Sequence, residues 1–147
     1  MNVLTTDNYQ KKIESMTPDD WMPLLDLIPV IEMTETFYSP GILSFQDEDI
    51  VEIGRSKQDA VIHTFRKIVY QIPVIIDFGW AQWDKGSELA GNPDTDYDSI
   101  DIPTKCKLIT AFVRNDRFCE GALASRFEDG TILKILRSIR NQTADAI

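Results

Sequence analysis

One stretch constrains the fold more than any other, namely IPTKCKLITAFVRND at residues 102–116. On a helix of about 3.6 residues per turn, its apolar side chains form two adjacent rows: Ile102, Cys106, Ile109 and Val113 in one, and Leu108, Ala111 and Phe112 in the other. Polar side chains are confined to a narrow stripe of Lys107, Thr110 and Arg114. Because a helix that is apolar on most sides must be surrounded by other elements, the stretch predicts a central helix.

The neighbouring segments also carry helix signals. Thr17 suits an N-cap and Pro18 suits the first turn, and the apolar stripe that follows is expected to kink at Pro29. A second helix is predicted to start near Ser56, in a variant of the capping box. A last helix is predicted after the C-cap Gly130. The sequence therefore predicts a mainly α, compact fold.

The chain has 147 residues, the size of one domain. We predict a single helical domain over residues 1–147, with residues 1–16 as a polar N-terminal arm and residues 141–147 as a frayed tail. The short segments ILSF and DIVEI, separated by QDED, are also compatible with one small β-hairpin near residues 42–53. No apolar run reaches the length of a membrane span and the N-terminus has no apolar leader region. We therefore expect a cytoplasmic protein that does not interact with membranes.

The chain is acidic overall, but its charged residues are unevenly distributed along the sequence. The formal net charge is −9, whereas residues 105–140 hold eight basic and four acidic side chains, a net of +4 that leaves −13 for the rest. Binding to nucleic-acid phosphates depends on Lys and Arg, so the acidic total argues against a nucleic-acid partner. The basic segment and the acidic remainder either neutralise one another within the fold or form two faces of opposite charge that steer a partner.

A cluster of charge follows the predicted central helix. Arg117 continues the apolar row of that helix by one turn, and an arginine in such a row needs a partner. Glu120, one turn further on, suits a planar guanidinium. One interpretation is a buried Arg117–Glu120 pair, with Gly121 allowing a close backbone approach. The other is a binding site in which Arg114, Arg117, Asp116 and Glu120 meet a small anionic ligand or an acidic side chain of a protein partner.

Two tryptophans three residues apart, Trp80 and Trp83, are open to the same two interpretations, a structural role or a role in binding. They pack in the core, or they form an aromatic wall of a pocket beside the charged cluster. The candidate binding residues are therefore Arg114, Arg117, Glu120, Asp116, Trp80 and Trp83.

The sequence contains no recognised catalytic constellation. The single histidine, His63, falls on the polar side of its predicted helix, and Cys106 and Cys119 are expected to be buried and reduced. The acids of DTDYDSID are spaced like the start of a calcium loop, but the glycine and glutamate that such a loop needs are absent. We predict no catalytic residues, no metal and no cofactor. The favoured function is a non-catalytic binding or protein-interaction module, and the alternative is a small-ligand-binding protein or enzyme.

The stretch LITAFVRNDRFCEGALASRFEDGTILKILRSI resembles the C-terminal signature of a family of small bacterial domains of unknown function. The signature reads Arg-x-Asp-Arg-Phe-x-Glu-Gly-x-Leu-Ala, and the upstream DFGWAQW is similar to the family's Phe-Asp-Trp-x-x-Trp segment. The sequence differs at Gly79, where the family usually has Asp, and at Pro103. The resemblance implies a helical domain in which the charged cluster is a family feature, and it implies no reaction.

Overall fold

A computed structural model of the chain describes residues 4–34, 48–72, 74–116 and 121–145, and for residues 48–59 and 144–145 it describes the backbone alone. The α-helices are α1 (Tyr9–Glu14), α2 (Pro18–Leu25), α3 (Leu27–Met33), α4 (Glu48–Gln71), α5 (Asp84–Gly91), α6 (Ile102–Asn115), α7 (Ala122–Glu128) and α8 (Thr131–Asp145). Short 3₁₀ helices lie at Trp80–Gln82 and Tyr97–Ser99. Two short strands, β1 (Leu4–Thr5) and β2 (Ile76–Asp77), pair in parallel. The prediction of a mainly α fold is confirmed.

The predicted central helix is α6. Its first turn is fixed locally, because the Asp101 carboxylate accepts a hydrogen bond of 3.1 Å from the backbone N–H of Thr104 and Pro103 occupies the first turn. It packs against α1, α5, α7, α8 and β2. Both predicted apolar rows face these packed elements. The buried residues of the two rows are Cys106, Leu108, Ile109, Phe112 and Val113.

The helix predicted to start at Thr17 is also confirmed. The Thr17 N–H donates to the Asp20 carboxylate at 2.9 Å, and the stripe of Trp21, Leu24, Ile28 and Ile31 is buried. The predicted kink is a break, since α2 ends at Leu25 and α3 begins at Leu27. Pro29 has no N–H for the carbonyl of Leu25, so the continuous helical hydrogen bond cannot form there.

The second helix starts earlier than predicted. Helix α4 begins at Glu48, so Ser56 lies inside the helix and the predicted start is wrong. The prediction of a strand for the second arm of the hairpin is also wrong, because the segment DIVEI is helical. The β-preference of Ile and Val spans only about 1 kcal/mol, and each residue added to a helix gains a backbone hydrogen bond. The first arm, ILSF, lies outside the described residues.

The two ends of the chain are packed rather than extended. Leu4 and Ile13 are buried, β1 pairs with β2, and α1 packs on α6, so the described residues 4–16 do not form the predicted arm. Helix α8 continues to Asp145, and Thr143 within it is buried. Residues 141–145 are therefore helical, where the sequence predicted a frayed tail. None of the helices in the described ranges is long and apolar enough to cross a membrane.

Glycines set the turns at both ends of α7. Gly121 precedes the helix with φ 89°, and Gly130 follows it with φ 84°. Only glycine adopts this left-handed region without strain. The predicted C-terminal role of Gly130 is confirmed, whereas Gly121 occupies the N-cap position of α7.

Candidate functional site

A cavity of about 510 Å³ lies beside Trp80 and Trp83. Residues of the first 3₁₀ helix, α5, α6 and α7 line it: Trp80, Ala81, Trp83, Gly86, Ser87, Ala90, Leu108, Ala111, Phe112, Asn115 and Arg126. Sites for small molecules have roughly 300–1,000 Å³ and are mostly apolar, with a few polar groups that orient the ligand. The size and lining of this cavity match that description.

The two tryptophans do not share one face of a helix. Trp80 begins the 3₁₀ helix, and Trp83 precedes α5. The ring of Trp83 lies against the first turn of α5, where a Cβ on Gly86 would come 2.3 Å from Trp83 Cε3. Only the absence of a side chain at Gly86 allows this packing. The aromatic wall that the sequence raised as an alternative is therefore built from irregular backbone.

A cluster of aromatic rings around Lys107 holds Trp83 in place. The Lys107 ammonium is 5.2 Å from the centre of the Tyr9 ring, 5.1 Å from that of Phe78 and 5.6 Å from that of Trp83. Phe78 also meets Trp83 edge to face, with ring centres 5.4 Å apart. Cation–π contacts within about 6 Å are attractive. Lys107 belongs to the predicted polar stripe of α6, so that stripe supports the wall of the cavity.

The one charged side chain among the described lining residues is that of Arg126. Its guanidinium carbon lies 5.2 Å from the centre of the Phe112 ring. Its Nη1 donates to the backbone carbonyl of Ala90 at 3.3 Å and to Asp129 Oδ2 at 3.3 Å. Sequence reasoning missed Arg126 as a site residue. No spacing rule links a residue near the end of α7 to tryptophans more than forty positions earlier.

Of the charged residues predicted to form a site, Arg114 and Asp116 do not line this cavity. Asp116 Oδ2 accepts a hydrogen bond of 2.7 Å from Arg66 on α4, and Oδ1 accepts one of 3.1 Å from the backbone N–H of Leu123. Asp116 thus ties α4 to the first turn of α7. Arg114 is half-buried, and its Nε is buried without a partner among the described residues.

Arg117, Cys119 and Glu120 lie outside the described residues. The Arg117–Glu120 pair therefore stays a prediction, as does its alternative as part of a binding site.

A second polar cluster, which the sequence did not predict, joins α6 to α8. The Lys105 Nζ donates to Ser138 Oγ at 2.6 Å and to Gln142 Oε1 at 2.6 Å, and Ser138 Oγ donates to Asp98 Oδ1 at 2.6 Å. Lys105 and Ser138 are buried. Burial lowers the pKa of Lys105 to about 8, while the charge of Asp98 acts in the opposite direction. Because the polar groups of this cluster bond to one another and Lys105 and Ser138 are buried, the cluster connects α6 to α8.

The acidic loop before α6 has structural roles. Asp96 Oδ1 accepts a hydrogen bond of 3.2 Å from the Asp98 N–H, and Asp98 takes part in the Lys105 cluster. Within the ranges that the structure covers, no three His, Cys, Asp or Glu side chains are grouped so that they could hold a metal ion.

The structure thus shows a helical fold with a cavity lined by aromatic side chains and one arginine. The profile of a family of unknown function, DUF6508, matches residues 16–145, and the chain belongs to this family. Strand β1 and helix α1 precede the matched range. No curated protein and no solved structure matches the chain. The resemblance to a family of unknown function is confirmed, while the Arg-x-Asp-Arg-Phe signature stays a prediction.

Proposed function

We propose that this domain is a non-catalytic binding module whose cavity takes a small organic ligand. The observation that carries the proposal is the cavity of about 510 Å³ beside Trp80 and Trp83. A concave site of this size encloses a small molecule, whereas protein partners are usually bound over about 800 Å² of each surface. The cavity therefore favours a small ligand over a protein partner.

The wall of the cavity is held in place before any ligand arrives. Trp83 packs against Gly86 and lies in the aromatic cluster around Lys107. Ordering a flexible side chain on binding costs roughly 0.5–1.5 kcal/mol. A wall whose rings are already fixed avoids that loss, which supports a role in binding.

The chemistry of the lining favours binding over catalysis. General acid–base catalysis needs a group that titrates near the working pH. The described lining residues are a glycine and aromatic, aliphatic or amide side chains, together with the hydroxyl of Ser87 and the guanidinium of Arg126. Such side-chain types are not general acids or bases at neutral pH. We propose the cytoplasm as the compartment, and the free, buried thiol of Cys106 supports this.

Nitrogen–proton correlation spectra test the proposal directly, because the chain has three tryptophans and therefore three indole N–H signals. Trp80 and Trp83 line the cavity, whereas Trp21 is buried and does not. In a fragment screen, we expect ligands that shift the signals of Trp80 and Trp83 and leave that of Trp21 unchanged.

Two matched variants show whether such fragments occupy the cavity. Ser87→Phe places a ring at an exposed position of the lining, and Gln82→Phe places the same ring at an exposed position outside it. We expect Ser87→Phe to abolish the shifts and Gln82→Phe to preserve them. The proposal is wrong if no fragment shifts either signal, or if the shifts survive Ser87→Phe.

A further inference from the structure

The charge of the cavity is opposite to that of the chain. The chain carries a net charge of −9, yet Arg126 is the one charged residue among the described lining residues, and none of them is acidic. A cavity with a positive group and no carboxylate attracts an anion. This contrast bears on the kind of ligand that the cavity would take.

Arg126 has hydrogen-bonding capacity to spare. A guanidinium carries five N–H donors in a planar fork, and the described hydrogen bonds of Arg126 both leave from Nη1. Each is 3.3 Å long, beyond the usual range of about 2.7–3.2 Å. The Asp129 side chain is 46% exposed, so water solvates it when it is released. A carboxylate of a ligand can therefore take over the fork of Arg126 in a bidentate pair.

The aromatic residues of the lining disfavour a cationic ligand. Trp83 already faces the ammonium of Lys107 at 5.6 Å, and Phe112 faces the guanidinium of Arg126 at 5.2 Å. A cationic ligand placed against these rings would be repelled by the two cations of the chain that already lie beside them. The rings remain suited to stacking against a flat apolar body.

Resting on the proposed function, we propose that the ligand is an aromatic carboxylate, with its ring system against Trp80 and Trp83 and its carboxylate on Arg126. Three probes with the same ring system test the charge: naphthoate, the isosteric naphthamide, and naphthylmethylammonium. We expect naphthoate to bind about ten-fold more tightly than naphthamide, the size of one charge-assisted hydrogen bond. We expect the ammonium probe to bind most weakly.

Arg126→Met and Arg140→Met each remove one arginine, and Arg140 is exposed on α8. We expect Arg126→Met to reduce the affinity for naphthoate to that for naphthamide, and Arg140→Met to leave both unchanged. The comparison of probes on the unchanged protein decides the inference even if Arg126→Met does not fold.

Equal affinities for naphthoate and naphthamide, or tightest binding of the ammonium probe, would overturn the carboxylate assignment. Shifts of the Trp80 and Trp83 indole signals would then still support the proposed function. Failure of naphthoate to bind also overturns the inference, and the fragment screen decides the proposed function separately.

Discussion

The buried Lys105 predicts an unusual dependence of stability on pH. Lys105 has 0% exposure, and its pKa falls from the ordinary value of 10.5 to about 8 because burial penalises the charged form more than Asp98 stabilises it. Between these two values the unfolded chain holds the proton and the folded chain has released it. Stability therefore rises with pH across this window, and below it both states are protonated and the folded state bears the full penalty.

The magnitude follows from the same two values. Each pKa unit corresponds to roughly 1.4 kcal/mol, so a fall from 10.5 to about 8 corresponds to about 3 kcal/mol. We expect the free energy of unfolding of the unchanged protein, relative to that of Lys105→Met, to rise by about 3 kcal/mol between about pH 7 and about pH 10.5.

Urea denaturation followed by circular dichroism at several pH values measures this difference. Other groups that titrate at alkaline pH are present in both proteins and largely cancel when the two are subtracted. Lys134→Met is the matched control, because Lys134 is exposed on α8. Its difference from the unchanged protein should stay nearly constant with pH.

Two results would contradict the reasoning. A difference between the unchanged protein and Lys105→Met that stays flat would mean that the lysine keeps an ordinary pKa in the fold. A loss of stability relative to Lys105→Met on raising the pH would mean that the link through Ser138 to Asp98 outweighs burial and raises the pKa instead.

Three further predictions concern packing, thiol reactivity and partners. Gly86→Ala should lower stability by about 1–3 kcal/mol because the new Cβ overlaps Trp83, whereas Gly91→Ala, with nothing within 4 Å of its Cβ, should be neutral or slightly stabilising in urea melts. In a Cys119→Ser background, Cys106 should react with a thiol reagent only as fast as the protein unfolds, since burial raises the pKa of that thiol; rapid labelling of the native protein would count against this. Duplex DNA should bind only weakly at physiological salt, and submicromolar, salt-sensitive binding in an anisotropy assay would reverse that expectation.

Features that depend on neighbouring residues could be predicted from the sequence. The apolar rows of α6 required a central helix wherever its partners came from, because burial of most of its surface is a property of the helix itself. The start of α2 at Thr17 and the turn at Gly130 likewise rest on hydrogen bonds and dihedral angles within a few residues. The length of α4 was underestimated because local β-preference is weaker than helix propagation.

Features that depend on distant residues required the tertiary structure. Asp116 pairs with Arg66, fifty positions away, and Lys105 meets Ser138, thirty-three positions away. Arg126 joins Trp83 at the cavity although no sequence pattern connects them. The sequence by itself determined that the chain forms helices around α6 and that charged residues crowd its end. Which charges meet was decided only by how the helices pack, since a salt bridge or a cavity depends on distances across the fold.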